Sequence, residues 1–460
     1  MSELPGNWHL GMMSDVGVDR DSIVDGPFGS NLKISDYIDD ASNGIPVLTT
    51  KNLRGDYSDS SVRFISQKKF VELQRSQVNP GDILVAKIGS VGKTGIYPKG
   101  AKTAIIPANL LRITVREEIE MKYVYYYVNS PRLQNLIKSI STATAQPAFN
   151  VTKFRKLPIP LPPRPEQKRI VAKIEELFSD LDKAIESLKK AQAQLKTYRQ
   201  AVLKYAFEGR FTGEWRDRQN SGSSGIELKR LIHRQREELK DKKTKAISTL
   251  TSEELDELPS LPHSWCWCKL GELTRSVKDG PHYSPKYVEK GIPFITGGQV
   301  RPEGVDFSSA KQISKELHDQ LSQRCKPAIG DILYTKGGTT GIARVNTYDI
   351  EFNVWVHVAV LKIIPIVNPF YLQHALNSDH CYRQSQKYTH GVGNQDLGLT
   401  RMILISVPVC PLEEQEQVVS EIDKRLSLVT NLENAILESL EKAEATRQSI
   451  LKKAFEGRLV

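Results

Sequence analysis

The chain contains itself twice. The segment "LPIPLPPRPEQKRIVAKIEELFSDLDKAIESLKKAQAQLKTYRQAVLKYAFEGRF" (157–211) lies over "ISVPVCPLEEQEQVVSEIDKRLSLVTNLENAILESLEKAEATRQSILKKAFEGRL" (405–459) at one constant offset, 405 − 157 = 248. Glu166-Gln167 falls on Glu414-Gln415, Arg199-Gln200 on Arg447-Gln448, and the pentapeptide Ala206–Arg210 recurs at Ala454–Arg458. Upstream, "PGDILVAK" (80–87) matches "IGDILYTK" (329–336), and "GIPVLTTKNLRG" (44–55) matches "GIPFITGGQVRPEG" (291–304). The openings also correspond: Leu4-Pro5…Trp8 with Leu261-Pro262…Trp265, and "DGP" at 25–27 with "DGP" at 279–281. A chain of 460 residues built this way folds as two copies of one module, each long enough to bury its own core. Two long copies are not a solenoid, whose units run about 20–50 residues and need three or more repeats.

Each module has two parts that differ in periodicity. Residues 1–155 and 261–404 carry short β-branched and aromatic runs (45–50, 83–86, 332–334, 356–364) broken by Gly and Pro, with helical stretches such as 121–140 between them. After Pro162-Pro163-Arg164-Pro165 the chain runs to about Phe207 with no Pro or Gly, and Gly209 ends the run as a helix C-terminal glycine. One heptad seam reads Ile174, Leu181, Leu188, Leu195, Val202, and a second reads Ile170, Leu177, Ala184, Ala191, Tyr198, Tyr205. The second copy keeps Ile422, Val429, Ile436, Ala443 and Ile450, but Arg425, Ser439 and Thr446 interrupt its other seam, whose apolar stripe drifts to Leu426 and Leu440.

A lone amphipathic rod is unstable, so the two rods are expected to pack on each other, antiparallel if the modules are related by a two-fold axis. The alternative is that each rod folds back on its own globule. The expected fold class is therefore α+β: a tandem duplication of a mixed α/β domain followed by a long helix, the helices forming an antiparallel coiled coil. The expected boundaries are 1–155, first globule; 156–215, central helical region; 216–260, linker; 261–404, second globule; and 405–460, C-terminal helical region. Within the linker, 216–225 reads as flexible and 226–245 as a short charged helix whose alternating acids and bases fit a solvated connector.

The chemistry is notable for what is missing. "IGSVGKTG" (88–95) contains Gly-Lys-Thr, but a phosphate loop needs glycine where Lys87 stands, and the second copy reads "GGTTGIA". The "GDILVAK" and "GDILYTK" pair lacks the second acid of a metal-dependent nuclease, and no G-x-S-x-G, H-E-x-x-H or amino-methyltransferase motif is present. Eight of nine histidines follow residue 230, so no catalytic histidine can serve both copies. Five cysteines without a C-x-x-C pair argue against a disulfide framework and a structural zinc. No signal-like leader is evident at the start, and a cytoplasmic location is the expectation. The excess of 64 Lys+Arg over 54 Asp+Glu, a net +10, suits a polyanionic partner. A duplicated function without catalytic residues is binding.

The duplicated "PLPPRPEQ" and "CPLEEQ" entries, the two "AFEGR" exits and the Gly213-Glu-Trp-Arg216 that follows the first resemble the specificity (S) subunit of type I restriction-modification enzymes, over the whole chain. The resemblance implies a non-catalytic reader of double-stranded DNA. It would hold two methyltransferase (M) subunits and act with two restriction (R) subunits; S-adenosylmethionine would belong to M and ATP with Mg to R, with no cofactor in this chain and no membrane contact. Each target-recognition domain would bind one half of a bipartite target. The helix pair, a rod of about 65 Å at 1.5 Å per residue, would fix the spacer and dock M, directing adenine methylation and restriction.

Because the loops of the two copies differ, an asymmetric target is expected. Candidate phosphate or guanine contacts are Lys51, Arg54, Lys87, Lys93, Arg301, Lys336 and Arg344; candidate adenine-pairing amides are Asn52, Gln146, Asn150, Gln299, Asn394 and Gln395. Trp8 and Trp265 read as packing residues, and Glu166, Gln167, Glu414 and Gln415 as helix-start residues with a possible share in docking M. Two readings stay open beside this one: a single-chain restriction–methyltransferase enzyme, whose motifs are absent, and an adaptor that competes for a methyltransferase without an active restriction partner.

Overall fold

A computed structural model describes residues 4–29, 31–55, 62–142, 145–219, 224–240, 247–391 and 395–460. The chain divides into two units, Met1–Lys190 with Ile436–Val460, and Ala191–Ala435. Each unit thus holds one globule, the start of the helix that follows it and the end of the other long helix. The two long helices span Arg164–Phe207 and Leu412–Phe455, 44 residues each, and the duplication offset relates them residue for residue.

In the first unit a four-stranded antiparallel sheet runs in the order Ile23–Asp25, Leu110–Ile113, Ile83–Ala86, Thr94–Ile96. The second unit repeats the order with Thr274–Asp279, Val358–Ile363, Ile332–Thr335, Ala343–Val345. The duplicated "GDIL" supplies the central strand of both sheets, with every residue buried, as an unbroken apolar run requires. Its aspartate caps the preceding turn: Asp82 Oδ2 accepts from the Asn79 N–H at 2.7 Å and Asp331 Oδ2 from the Ala328 N–H at 2.8 Å. The paired carboxylate that could be mistaken for a nuclease remnant is a turn cap.

The second sheets differ. The first unit has five strands in the order Tyr37–Ile38, Arg63–Ile65, Ile45–Val47, Ala104–Ile105, Gln77–Val78, whereas the second has a three-stranded sheet, Lys311–Ile313, Ile292–Ile295, Asn353–Val354, beside the hairpin Val300–Arg301/Gly304–Val305. One skeleton therefore carries two different upper layers.

Both rods start on the module they follow. Gln167 Oε1 accepts from the Glu120 N–H (2.8 Å) and its Nε2 donates to the Pro162 carbonyl (2.8 Å), tying the rod to the N-terminus of helix Met121–Val128. Gln415 does the same in the second unit, accepting from the Asn368 N–H (2.7 Å) at the start of helix Pro369–Leu376 and donating to the Ile366 and Cys410 carbonyls (3.0 and 2.8 Å).

Both rods end against the opposite module, which explains the repeated pentapeptide. Phe207 meets Tyr371 edge-on at 5.2 Å in the second unit, and Phe455 lies 5.1 and 5.0 Å from Tyr123 and Tyr127 in the first. The glycines that follow, Gly209 and Gly457, have φ of 71° and 70°, and a Cβ there would stand 2.6 Å from Pro262 Cγ and 2.3 Å from Pro5 Cγ. Only glycine both turns the chain and admits the proline of the Leu-Pro opening.

Within each unit the two rods are antiparallel. In the first, Arg447 caps the Phe178 ring at 4.4 Å and pairs with Asp182; in the second, Arg199 pairs with Glu433 at 2.9 Å. Ile422, Val429, Ile436 and Ala443 are buried, as are Ile174 and Val202, while Leu181, Leu188, Leu195 and Ile450 are half-buried. The expected second seam of the first rod is corrected at Ala184, Tyr198 and Tyr205, which are exposed. Arg425, which broke the pattern in the second rod, lies over the Phe211 ring at 4.0 Å, a cation–π contact that serves in place of an apolar knob.

The linker needs two corrections. Gly213–Gln219 is helical, and its Arg216 forms an ion pair with the buried Glu414, which also accepts from the Thr212 hydroxyl at 2.6 Å. The charged helix spans Gly225–Leu239 and is no solvated connector: Leu228, Ile232 and Arg236 bury one face against the second globule. Residues 220–223 and 241–246 of the expected linker lie outside the described residues.

Candidate nucleic-acid interface

In each module, loops from distant parts of the sequence converge at one edge of the four-stranded sheet, and a buried ion pair sits beneath them. Asp25 of the first "DGP" pairs with Lys87, whose side chain is 7 % exposed. Asp279 of the second lies 3.6 Å from Lys336 Nζ, with both side chains almost fully buried. Lys336 also donates to Asp396 (2.8 Å) and the Val356 carbonyl (3.1 Å), joining three segments with one ammonium group. The glycine after each aspartate packs against backbone, and a Cβ at Gly26 would stand 2.1 Å from the Ile106 oxygen and at Gly280 1.8 Å from that of Val354. The "DGP" motif is thus aspartate for the lysine and glycine for the close approach.

Four of the residues expected to contact DNA are corrected by this geometry. Lys87 and Lys336 are buried framework cations, not surface phosphate contacts. Asn52 is fully buried, its Oδ1 accepting from the Thr49 N–H (2.6 Å) and hydroxyl (3.0 Å). Half-buried Gln299 copies it with Thr296, at 2.9 and 2.6 Å. An amide oxygen committed to shaping its own turn does not read a base.

The remaining positions lie on the converging loops. Lys51 and Lys93 are exposed, and the Lys51 turn packs against the strand Thr94–Ile96 that follows Lys93, where a Cβ on Gly95 would stand only 3.1 Å from the Leu53 oxygen. The Lys93 loop is joined to the segment holding Gln146 and Asn150 through the Gly89 N–H, which donates to the Pro147 carbonyl at 3.0 Å. Gln146 is exposed, and Asn150 is exposed while its Oδ1 caps helix Val151–Arg155. In the second module the Gly338 N–H donates to the Gln395 carbonyl at 3.1 Å, the same connection, and Gln395 is exposed. Arg301 is exposed and pairs with Asp306 at 3.4 Å. Arg344 is half-buried and donates to the Pro302 carbonyl at 3.2 Å, which fastens the Arg301 hairpin to the sheet. Hydrogen bonds from the Ser308 and Ser309 hydroxyls, helped by Arg301, hold the Asp306 carboxyl down at about 2. The side chain of Arg54 and the whole of Asn394 lie outside the described residues.

Sequence reading missed the residues that follow "DGP". Phe28 is exposed with the Lys87 ammonium 4.8 Å over its ring, and Tyr283 is exposed with its carbonyl accepting from Trp355 Nε1 at 3.2 Å. The Trp355 and His357 rings lie 4.6 Å apart with their planes tilted by 39°, and Arg324, over half exposed, donates to Asp279 at 2.7 Å. Burial, reinforced by Lys336, pushes the His357 imidazole below the ordinary histidine value, so it is neutral at pH 7. The signal available was the duplicated "DGP" itself, which marks the place but not the aromatic residues beside it.

The edge offers cations, amides and flat aromatic faces and, among the described residues, no cluster of three metal-ligating side chains. No described helix is long and apolar enough to cross a membrane. Cations suit phosphate oxygens, and amides and flat rings suit base edges and faces.

The family model for the type I restriction modification DNA specificity domain matches twice, over residues 30–197 and 262–442. The chain belongs to this family, and as such it is a DNA-specificity subunit of a type I restriction-modification system, a recognition component without catalysis of its own. It is 26% identical over 450 residues to the EcoBI specificity subunit of Escherichia coli, covering 96% of this chain and 85% of that one. It is 22% identical over 479 residues to the putative MjaX specificity subunit of Methanocaldococcus jannaschii, covering 100% and 95%. Its fold is similar to that of a chain in a solved type I restriction-modification assembly (TM-score 0.67, 17% identity, 99% of both chains). The HsdS subunit of Thermoanaerobacter tengcongensis gives a TM-score of 0.51 at 18% identity, over 99% of this chain and 98% of that one.

Proposed function

We propose that each module reads one half of a bipartite, asymmetric double-stranded DNA target through its converging loops. One observation carries this: the same buried Asp–Lys pair and the same loop-to-loop hydrogen bonds recur in both modules, while the exposed side chains they support differ. A common scaffold with two different reading edges serves two different half-sequences. In the first module Lys51, Lys93, Gln146 and Asn150 face the duplex, with Phe28 beside them. In the second, Arg301, Arg324 and Gln395 do so, with Tyr283 and the Trp355–His357 pair, while Arg344 holds the Arg301 hairpin. Cations grip phosphates and set register; amides and aromatic faces discriminate.

The paired rods set the unspecified spacer between the halves and dock two methyltransferase subunits, which bring S-adenosylmethionine and methylate adenine. Two restriction subunits bring ATP with Mg. The site of action is the cytoplasm. The reading is tested by co-expressing the chain with its methyltransferase subunit in a methylation-free host and mapping modified bases by single-molecule sequencing. The expected result is a two-part motif with a fixed gap and one methylated adenine on each strand. An active methyltransferase that co-purifies with the chain but marks a one-part motif would refute it.

A further inference from the structure

The second sheets of the two modules differ in strand number, yet one corner of them repeats. Arg63–Ile65 pairs with Ile45–Val47, and Lys311–Ile313 with Ile292–Ile295, in the same register: isoleucine on isoleucine, then Phe64 or Gln312 on a proline, then Arg63 on Val47 and Lys311 on Phe294. A further stretch adds on the other side, with Ile38 opposite Phe64 and Val288 opposite Gln312. Both cation-bearing strands then enter a helix capped by serine, Ser66 accepting from the Lys69 N–H and Ser314 from the Leu317 N–H.

On this shared corner each module holds a cation over a tyrosine. The Arg63 guanidinium lies 5.2 Å from the centre of the Tyr37 ring, and the Lys311 ammonium 4.6 Å from that of Tyr287. Both cations are exposed and both rings half-buried. Neither cation has a carboxylate partner among the described residues, unlike Arg301 and Arg324, which pair with Asp306 and Asp279. A ring face orients a cation without neutralising it, so its charge stays available to an anion.

The corner lies at the reading end of its sheet. Arg63 stands opposite Val47, and the chain leaves Val47 directly into the turn that bears Lys51, four residues on and so at most about 14 Å further. Lys311 stands opposite Phe294, from which the chain enters the Gly297–Gln299 turn and the Arg301 hairpin.

We propose, resting on the half-site reading above, that Arg63 on Tyr37 and Lys311 on Tyr287 are one phosphate clamp used twice, each gripping the DNA backbone beside its half-site without taking part in sequence choice. The two half-sites differ but the backbone does not, so an exposed cation present in both modules fits the part of the duplex that both meet. Arginine in one module and lysine in the other fit as well, since phosphate accepts either.

The test uses the full chain in complex with its methyltransferase subunit, and fluorescent duplexes with and without the mapped target, titrated by anisotropy across a salt series. Arg63→Ala and Lys311→Ala should each lower the log–log salt slope by about 0.9 and weaken binding about fivefold at about 0.15 M salt, alike on both duplexes. Arg63→Lys, which keeps the charge, should keep the slope. Unchanged hydrogen exchange in Ile45–Val47 and Ile292–Ile295 confirms that the variants are folded. An unchanged slope, a loss confined to the target duplex, or an altered methylated motif would overturn the proposal. So would loss of the methyltransferase subunit from the variants, since it would assign the corner to a protein contact. The wild-type motif decides the half-site reading separately: a one-part motif defeats that reading, and the slope still decides the clamp.

Discussion

Replacing Gln415 by alanine removes the partner of three backbone groups at once: the Asn368 N–H and the Ile366 and Cys410 carbonyls, bonded at 2.7, 3.0 and 2.8 Å to a side chain with no exposed surface. Each buried group left unpaired costs about 1–3 kcal/mol, and with some relaxation and water entry the sum is about 3–5 kcal/mol. That is a large share of the roughly 5–15 kcal/mol that holds a domain folded. At about 1.4 kcal/mol per factor of ten, local opening becomes roughly 10² to 10³ times more frequent. The assay is native-state hydrogen exchange resolved by peptide, since a two-unit chain does not give one unfolding free energy. Exchange should rise by that factor in Pro369–Leu376 and the start of the second rod, and stay unchanged in Met121–Val128. Gln167→Ala should give the mirror image. A rise below tenfold, or an equal rise in both units, would refute the claim that this glutamine fastens each rod to the module it follows.

Other expectations separate framework from reading residues. Lys87→Met should loosen the loop edge of the first module, leaving the half-buried Asp25 without its cation at a cost of about 1–3 kcal/mol. Lys93→Ala should instead leave the melt unchanged and lower the salt dependence of DNA binding by about 0.9 in log–log slope, measured by fluorescence anisotropy. Arg216→Ala strands the buried Glu414 and should cost about 3–5 kcal/mol, much of it restored by adding Glu414→Gln, as a double-mutant cycle read by native-state hydrogen exchange at the start of the second rod would reveal. Burial holds His380, whose ring lies tilted 4.9 Å from that of Trp267, below the ordinary histidine value. The unfolded chain therefore binds that proton more readily, so this histidine's contribution is full above about pH 6.5 and is lost as pH falls below it. His380→Gln should flatten that part of the acid limb in the second unit's melt.

The sequence showed the helices better than the loops, for a physical reason. A rod announces itself locally: the Pro- and Gly-free run, the apolar seam and the closing glycine predicted a helix ending at about Phe207, where it ends. The central strand was equally legible, because a strand buried on both faces is apolar throughout. Helix Gly225–Leu239 was legible as a helix but not as a packed one, since its buried positions Leu228, Ile232 and Arg236 include an arginine whose Nε reaches the Gly271 carbonyl, 35 residues away. The candidate site failed in the same way. Lys87 and Lys93 look alike in sequence, and what separates them is Asp25, 62 residues upstream, reached only when the sheet forms. Asn52 and Gln299 hold their own turns, whereas Gln146 and Gln395 lie exposed on the converging loops.

The central claim is that the two loop edges read two separate half-sequences, and mapping methylated bases tests it most directly. The wild-type chain, a Lys93→Ala/Gln146→Ala variant and an Arg301→Ala/Gln395→Ala variant would each be co-expressed with the methyltransferase subunit. The account predicts one gapped motif in which the first variant relaxes one half only and the second variant relaxes the other, with the gap length unchanged in both. Relaxation of both halves by either variant, or a motif that neither variant alters, would contradict it.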